Sequence, residues 1–346
     1  AFQDKLVAAT HAHKEAPSNR GRINSDLPWK DNMVLYSIYT SRKTATSTAF
    51  DVTTSANYRR NLRYLCDPDK KPNIPSLTSS YGAHMDFNTI TLKIENGIGH
   101  ITLRRPDNAN ALNATMAHEL LDATIACDVD SSVRVVLLDA EGKMFCAGGD
   151  LGGFAAAGDD LAGVIKRMVV DLHGAISRLA RMQAPVIASV QGAAAGAGFS
   201  LAMACDLVIA ARTAKLTMAY TRAGLVPDGS STFFLPRLIG RRRTLELMLL
   251  NPSLTAEAAH EWGLVTRVVD DESLATEALT LARHIAQGPT GAYAAAKRLV
   301  LASSNETLES QMELEAAAIA AAATGPDGRE GVRAFLDKRA PTFRGQ

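Results

Sequence analysis

The stretch Pro185-Val186-Ile187-Ala188-Ser189-Val190-Gln191-Gly192-Ala193-Ala194-Ala195-Gly196-Ala197-Gly198-Phe199-Ser200-Leu201-Ala202 decides how this chain folds. Its first six residues are short, β-branched and opened by a proline, which reads as a buried strand. From Phe199 the chain is apolar nearly all round through Ala204, which reads as a helix without a solvent face. A strand, a glycine-rich turn and a buried helix leave several backbone N–H groups free at one helix N-terminus. Such an end holds negative charge, either a phosphate or a developing oxyanion, and the stretch alone leaves both open.

Upstream, Ile90, Leu92 and Ile94 alternate before Asn96-Gly97, and Ile98, Ile101 and Leu103 follow it. Asn-Gly supplies the positive φ values of a tight type I′ turn, so the pattern predicts a hairpin. Helical spacing of Met116, Leu120, Leu121 and Ile125 predicts a helix from Asn113, whose side chain can cap it. A buried strand is expected over 133–138, then the turn at Glu141-Gly142. Beyond that strand lies Lys143-Met144-Phe145-Cys146-Ala147-Gly148-Gly149-Asp150-Leu151, where α/β folds place ligand sites. Residues 152–158 read as a mobile Ala/Gly loop and 161–183 as an amphipathic helix.

Downstream, 206–211 and 215–218 read as two more short strands. Asp228 then sits between Pro227 and Gly229, and Pro-Asp-Gly is a favoured turn; a turn former and a functional carboxylate are both compatible with it. Helical patterns follow at 241–250, 255–262, 272–287, 291–303 and 306–323, with a strand at 264–269. The layout predicts an α/β core over 85–275 and a helical C-terminal region over 276–346.

Residues 1–84 differ in character. They hold five of the seven tyrosines and a charge of +5, against −4 for the remainder. Met85 is a natural start for the folded domain, and 1–84 reads as an extension of unknown order. A transit peptide or docking arm is the other reading, although Asp4, Glu15, Asp26 and Asp31 argue against an acid-poor transit sequence. The whole chain of 346 residues carries a net charge of +1, so nucleic acid and an acidic membrane surface have no general electrostatic claim on it. Four cysteines lie far apart and form no metal-type pairs, which predicts free thiols in a reducing compartment. No apolar run reaches membrane-spanning length, and a cytoplasmic location is expected, with an organelle matrix as fallback.

Four segments together resemble the crotonase, or enoyl-CoA hydratase/isomerase, superfamily. They are Arg104-Arg105-Pro106 to Ala111-Leu112-Asn113, Phe145 to Leu151, Gln191 to Gly198, and Gly224-Leu225-Val226-Pro227-Asp228-Gly229. The resemblance runs from about Met85 to Gln346 and implies an α/β spiral of ββα repeats. It implies that two backbone N–H groups, those of Cys146 and Ala197, hold the thioester oxygen of an acyl-CoA, with Ala147, Gly148, Asp150, Gly196, Ser200 and Tyr220 around the substrate. Coenzyme A would enter as part of the substrate, with no separate cofactor and no metal. Assembly as a homotrimer or dimer of trimers is implied as well.

The carboxylates choose the reaction. Hydratases of the family use two glutamates, and the matching positions here are Ser200 and Tyr220. Asp228 matches the acid of enoyl-CoA isomerases and of the ring-opening isomerases of phenylacetate degradation, and the Arg329 to Leu336 segment also resembles that branch. The resemblance thus implies an isomerase with Asp228 as its base, acting on 3-enoyl-CoA or 1,2-epoxyphenylacetyl-CoA type substrates. A hydratase or thioester hydrolase, or a weakly active CoA-binding protein, are the alternatives. Cys146 reads as a packing residue, since no histidine stands beside it in the motif to activate it. Arg241-Arg242-Arg243 and Lys297 are further candidates for the CoA end.

Overall fold

The computed structural model describes residues 86–346; the 1–84 extension and Cys66 lie outside the described residues. The expected hairpin is present: β1 (Ile90–Glu95) pairs antiparallel with β2 (Ile98–Leu103). Both turn residues have positive φ, 53° at Asn96 and 79° at Gly97, as the turn type demands. Helix α1 (Ala114–Val129) starts where Asn113 accepts the Met116 N–H at 2.9 Å. It leads into β3 (Val135–Ala140), whose first four residues are buried.

Next come α2 (Leu151–Ala156), α3 (Leu161–Arg181) and β4 (Val186–Val190). The expected mobile loop at 152–158 is therefore a short helix for most of its length. Asp150 caps it by accepting the Gly153 N–H at 3.1 Å, and that cap offsets the weak helix propensity of Gly152 and Gly153.

The glycine-rich stretch is not one turn. Ala193–Ala195 form a strand, β5, before α4 (Ala197–Met203), every residue of which is buried. After it run β6 (Leu207–Ala211), β7 (Lys215–Thr217), α5 (Ser231–Leu250), β8 (Leu254–Thr255), α6 (Ala256–Glu261) and β9 (Arg267–Val269). Helix α5 begins ten residues earlier than the 241–250 pattern predicts and breaks at Gly240 (φ 74°, ψ 162°).

The chain winds between two sheets. One has the order β1-β2-β3-β4-β6-β9 and is parallel from β2 onward; the other is β5-β7-β8. Passing from β4 to β5, to β6, to β7 and β8, then to β9, the chain visits the sheets in turn, which is the expected spiral. Single parallel bridges, Cys146 to Ala194 and Leu112 to Gly149, extend the smaller layer sideways. Phe145, Phe199, Leu138 and Leu172 are fully or almost fully buried in the core these layers share. Only helices follow: α7 (Leu274–Ala286), α8 (Thr290–Ala302), α9 (Leu308–Thr324) and α10 (Pro326–Leu336). No described helix is long and apolar enough to cross a membrane.

Candidate active site

The two glycine-rich segments meet at one cleft of about 400 Å³, a volume within the usual range for small-molecule sites. Ala147, Gly148, Gly149, Gly196 and Ala197 form its floor. Phe154 of α2, Ile165, Met168, Val169 and Leu172 of α3, and Leu225 and Val226 give it an apolar lining.

The backbone decides which N–H groups can serve a ligand. Cys146, the expected donor, is not free: its N–H donates to Ala193 O at 3.0 Å. Ala147 donates to Ala109 O at 3.0 Å, and Asp150 to Leu112 O at 2.9 Å. Leu112 in turn donates to Gly148 O at 2.7 Å. Bracketed by these two bonds to Leu112, Gly149 turns its own N–H to the opposite side, which is the cleft. On this side of the cleft the N–H without a protein acceptor is thus that of Gly149, and not that of Cys146 as expected. The Ala197 N–H, at the first residue of α4, has no protein acceptor among the described residues and is open to a ligand.

The Cys146 side chain is fully buried, and burial pushes its thiol up to about 12. A thiol held protonated in this way is no nucleophile, so Cys146 packs, as expected. Gly198 makes room for it, since a Cβ there would run into the Cys146 carbonyl and thiol.

Asp150, expected beside the substrate, does not line the cleft. Besides capping α2, it pairs with Arg105 Nη2 at 3.1 Å, and the Gly153 N–H, then Arg105, hold its carboxyl below the usual 3.8. Asn110 braces the same turn, donating to Glu141 O and Met144 O at 2.8 Å each. These side chains hold the Gly149 segment in place without touching the cleft.

Ser200 is also fully buried and not a lining residue. Its Oγ lies 3.3 Å from Gly196 O and 3.1 Å from the Tyr220 hydroxyl. Tyr220 does line the cleft, and its O–H donates to Asp228 Oδ1 at 2.6 Å. Burial, then the charge of Asp228, raises the phenol above its ordinary value of 10, so Tyr220 stays a donor at all ordinary pH. The two positions that would carry hydratase glutamates are thus joined to each other and to the remaining carboxylate.

Asp228 is both a turn residue and a site residue. Its carbonyl accepts the Ser231 N–H and Oγ at 3.2 and 2.9 Å at the start of α5, while its carboxylate reaches into the cleft. Left-handed backbone at two non-glycine residues, Ala219 (φ 55°) and Ser230 (φ 67°), flanks Tyr220 and Asp228. Such strain costs on the order of 1 kcal/mol each and tends to collect at functional sites.

His173, which the sequence reading passed over, faces the second carboxylate oxygen: Nε2 is 3.4 Å from Asp228 Oδ2. It lies on the amphipathic helix α3, 55 residues before its partner, and no spacing rule connects the two. Lys297 is excluded from the CoA end, because its ammonium is tied to Asp206 and to Leu179 O at 2.6 Å each. Arg243 stacks over Trp262, and neither it nor Arg241 or Arg242 lines the cleft.

Two N–H groups without a protein acceptor and one carboxylate at an apolar cleft of a spiral fold form an arrangement that can polarise a carbonyl and move a proton beside it. The chain belongs to the enoyl-CoA hydratase/isomerase family, whose sequence model matches residues 93–346. It is 42% identical over 266 residues to 1,2-epoxyphenylacetyl-CoA isomerase of Escherichia coli, covering 76% of this chain and 100% of that protein. It is 34% identical to trans-2-decenoyl-[acyl-carrier-protein] isomerase of Streptococcus mutans, covering 76% and 100%. The crystal structure of an enoyl-CoA hydratase from Polaromonas sp. JS666 superposes with a TM-score of 0.71 at 35% identity, covering 74% of this chain and 100% of that one.

Proposed function

We propose that this protein is an acyl-CoA isomerase that works through a thioester enolate. The observation that carries the reading is that Asp228 is the sole carboxylate among the residues lining the cleft that Gly149 and Ala197 also line. The thioester oxygen sits between the Gly149 and Ala197 N–H groups, each of which contributes about 3 kcal/mol to holding the negative charge. Asp228 removes a proton from C2 of a 3-enoyl thioester, and the C–H electron pair moves into the C1–C2 bond as the oxygen becomes the enolate. Returning the proton at C4 moves the double bond from C3–C4 to C2–C3. No water is activated. Ser200 and Tyr220, standing where hydratases carry glutamates, support this over hydration.

The apolar walls suit an aryl or aliphatic acyl group, and the same N–H pair and carboxylate would serve a 1,2-epoxyphenylacetyl thioester. The reading extends to self-association as a trimer or dimer of trimers. In its support, Leu308, Met312 and Ile319 lie exposed on one face of α9, and Val332, Phe335 and Leu336 are exposed on α10. Incubation with 3-enoyl-CoA, crotonyl-CoA and 1,2-epoxyphenylacetyl-CoA tests the function. Conversion of the first or third is expected; rapid hydration of crotonyl-CoA alone would overturn the reading in favour of a hydratase, and CoA binding without turnover would favour a binding protein.

A further inference from the structure

The surroundings of Asp228 are asymmetric. Oδ1 is held by the Tyr220 O–H at 2.6 Å, and that hydroxyl, kept protonated by burial and by the Asp228 charge, offers a fixed hydrogen bond rather than a proton sink. Oδ2 faces His173 Nε2 at 3.4 Å. The Gly229 N–H donates to that same nitrogen, also at 3.4 Å, so in the neutral ring Nε2 can serve as an acceptor beside the carboxylate. A lone pair facing an ionised carboxylate has nothing to accept from it. Once Asp228 has taken a proton, its O–H has an acceptor waiting.

The side chains of His173 and Asp228 are 49% and 31% exposed and both line the cleft, so a substrate that fills the cleft leaves the more exposed ring as the carboxylate's way to solvent. No other charged side chain is bonded to it among the described residues. We propose that His173 is the exit for the proton held on Asp228, so that during each turnover the proton taken from substrate exchanges with water before it is returned. The step balances simply: the O–H bond of protonated Asp228 breaks as an N–H bond forms at Nε2, the imidazolium gives a proton to water, and the reverse path reloads Asp228 from solvent. This inference rests on the isomerase reading above.

The test uses 3-hexenoyl-CoA carrying deuterium at both C2 positions, converted in ordinary water, with deuterium at C4 of the product measured by mass spectrometry. The wild-type protein is expected to give product with mostly protium at C4. His173→Phe and His173→Gln block the exit, and both are expected to raise deuterium retention at C4 at least about threefold. Glutamine can hydrogen-bond but cannot relay a proton, so if His173 merely positions Asp228, Gln restores the wild-type retention and Phe does not; that result overturns the proposal. Equal retention in all three proteins also overturns it. Absence of isomerisation by the wild type overturns the isomerase reading, and this inference with it.

Discussion

The Tyr220 hydroxyl donates to Asp228 Oδ1 across 2.6 Å, and Ser200 Oγ lies 3.1 Å behind the same hydroxyl. A buried serine, a partly buried phenol and a cleft carboxylate form one chain that orients one oxygen of Asp228. Tyr220→Phe removes the orienting bond but leaves the carboxylate. Steady-state kinetics of that variant should show kcat about tenfold lower with KM nearly unchanged. Because Tyr220 is raised above 10, the wild-type rate should show no alkaline limb from this residue as pH rises through 10.

Gly148 and Gly149 are neighbours with different obligations. Gly148 has φ +105°, and a Cβ on it would lie 3.0 Å from Ala195 O. Gly148→Ala therefore pits a strained backbone against a fixed carbonyl and should cost about 1–3 kcal/mol of stability, read from a chemical denaturation curve. At Gly149 a Cβ meets only the Phe154 ring, at 3.0 and 3.1 Å, and a ring at the end of a short surface helix can move. Gly149→Ala keeps the N–H and should be the milder variant in both stability and kcat/KM.

Cys146→Ala separates the backbone of that residue from its side chain. The Cys146 N–H bond to Ala193 O survives the change, and only the packed sulfur is lost, at a cost of about 1 kcal/mol. Turnover should remain within about twofold of wild type. Iodoacetamide should fail to inactivate the native enzyme at pH 7, since the thiol sits near 12; rapid inactivation that the Ala variant escapes would contradict this.

Asp150 couples the Gly149 turn to pH. Its carboxyl is held below the ordinary 3.8, first by the Gly153 N–H and then by Arg105. A folded value below the unfolded one contributes stability above the unfolded value, and that contribution disappears as pH falls through the folded value. Asp150→Asn should thus lower Tm at pH 7, and the gap to wild type should shrink below about pH 4. A gap that is constant across that range would mean the charge of Asp150 has no part in holding the turn.

Much of the fold is legible locally. Asn96-Gly97 writes its hairpin in two residues, and Asn113 marks its helix start by a bond to its own first turn. What is set by distant pairing is not legible. Whether Cys146 or Gly149 presents its N–H depends on bonds to Ala193 and Leu112, and the glycine spacing of the motif is silent about both. The strand Ala193–Ala195 is hidden for the same reason: three alanines carry no periodicity, and their pairing with Lys215–Thr217 defines them. His173 is one polar residue on an amphipathic helix until the fold brings Asp228 to it. Asp228 is singled out in sequence only by its match to the acid of the family's isomerases, since Pro-Asp-Gly by itself reads as a turn; in the structure it makes that turn and lines the cleft as well.

As the proposed base of an isomerase, Asp228 should be indispensable to turnover. The most direct test is the initial rate of conversion of 3-hexenoyl-CoA to 2-hexenoyl-CoA by the wild type and by Asp228→Asn, which keeps the size and the Tyr220 hydrogen bond but cannot take a proton. A loss of about 10²–10⁴-fold in kcat is expected, with KM little changed. Isomerisation at an undiminished rate in Asp228→Asn would contradict it.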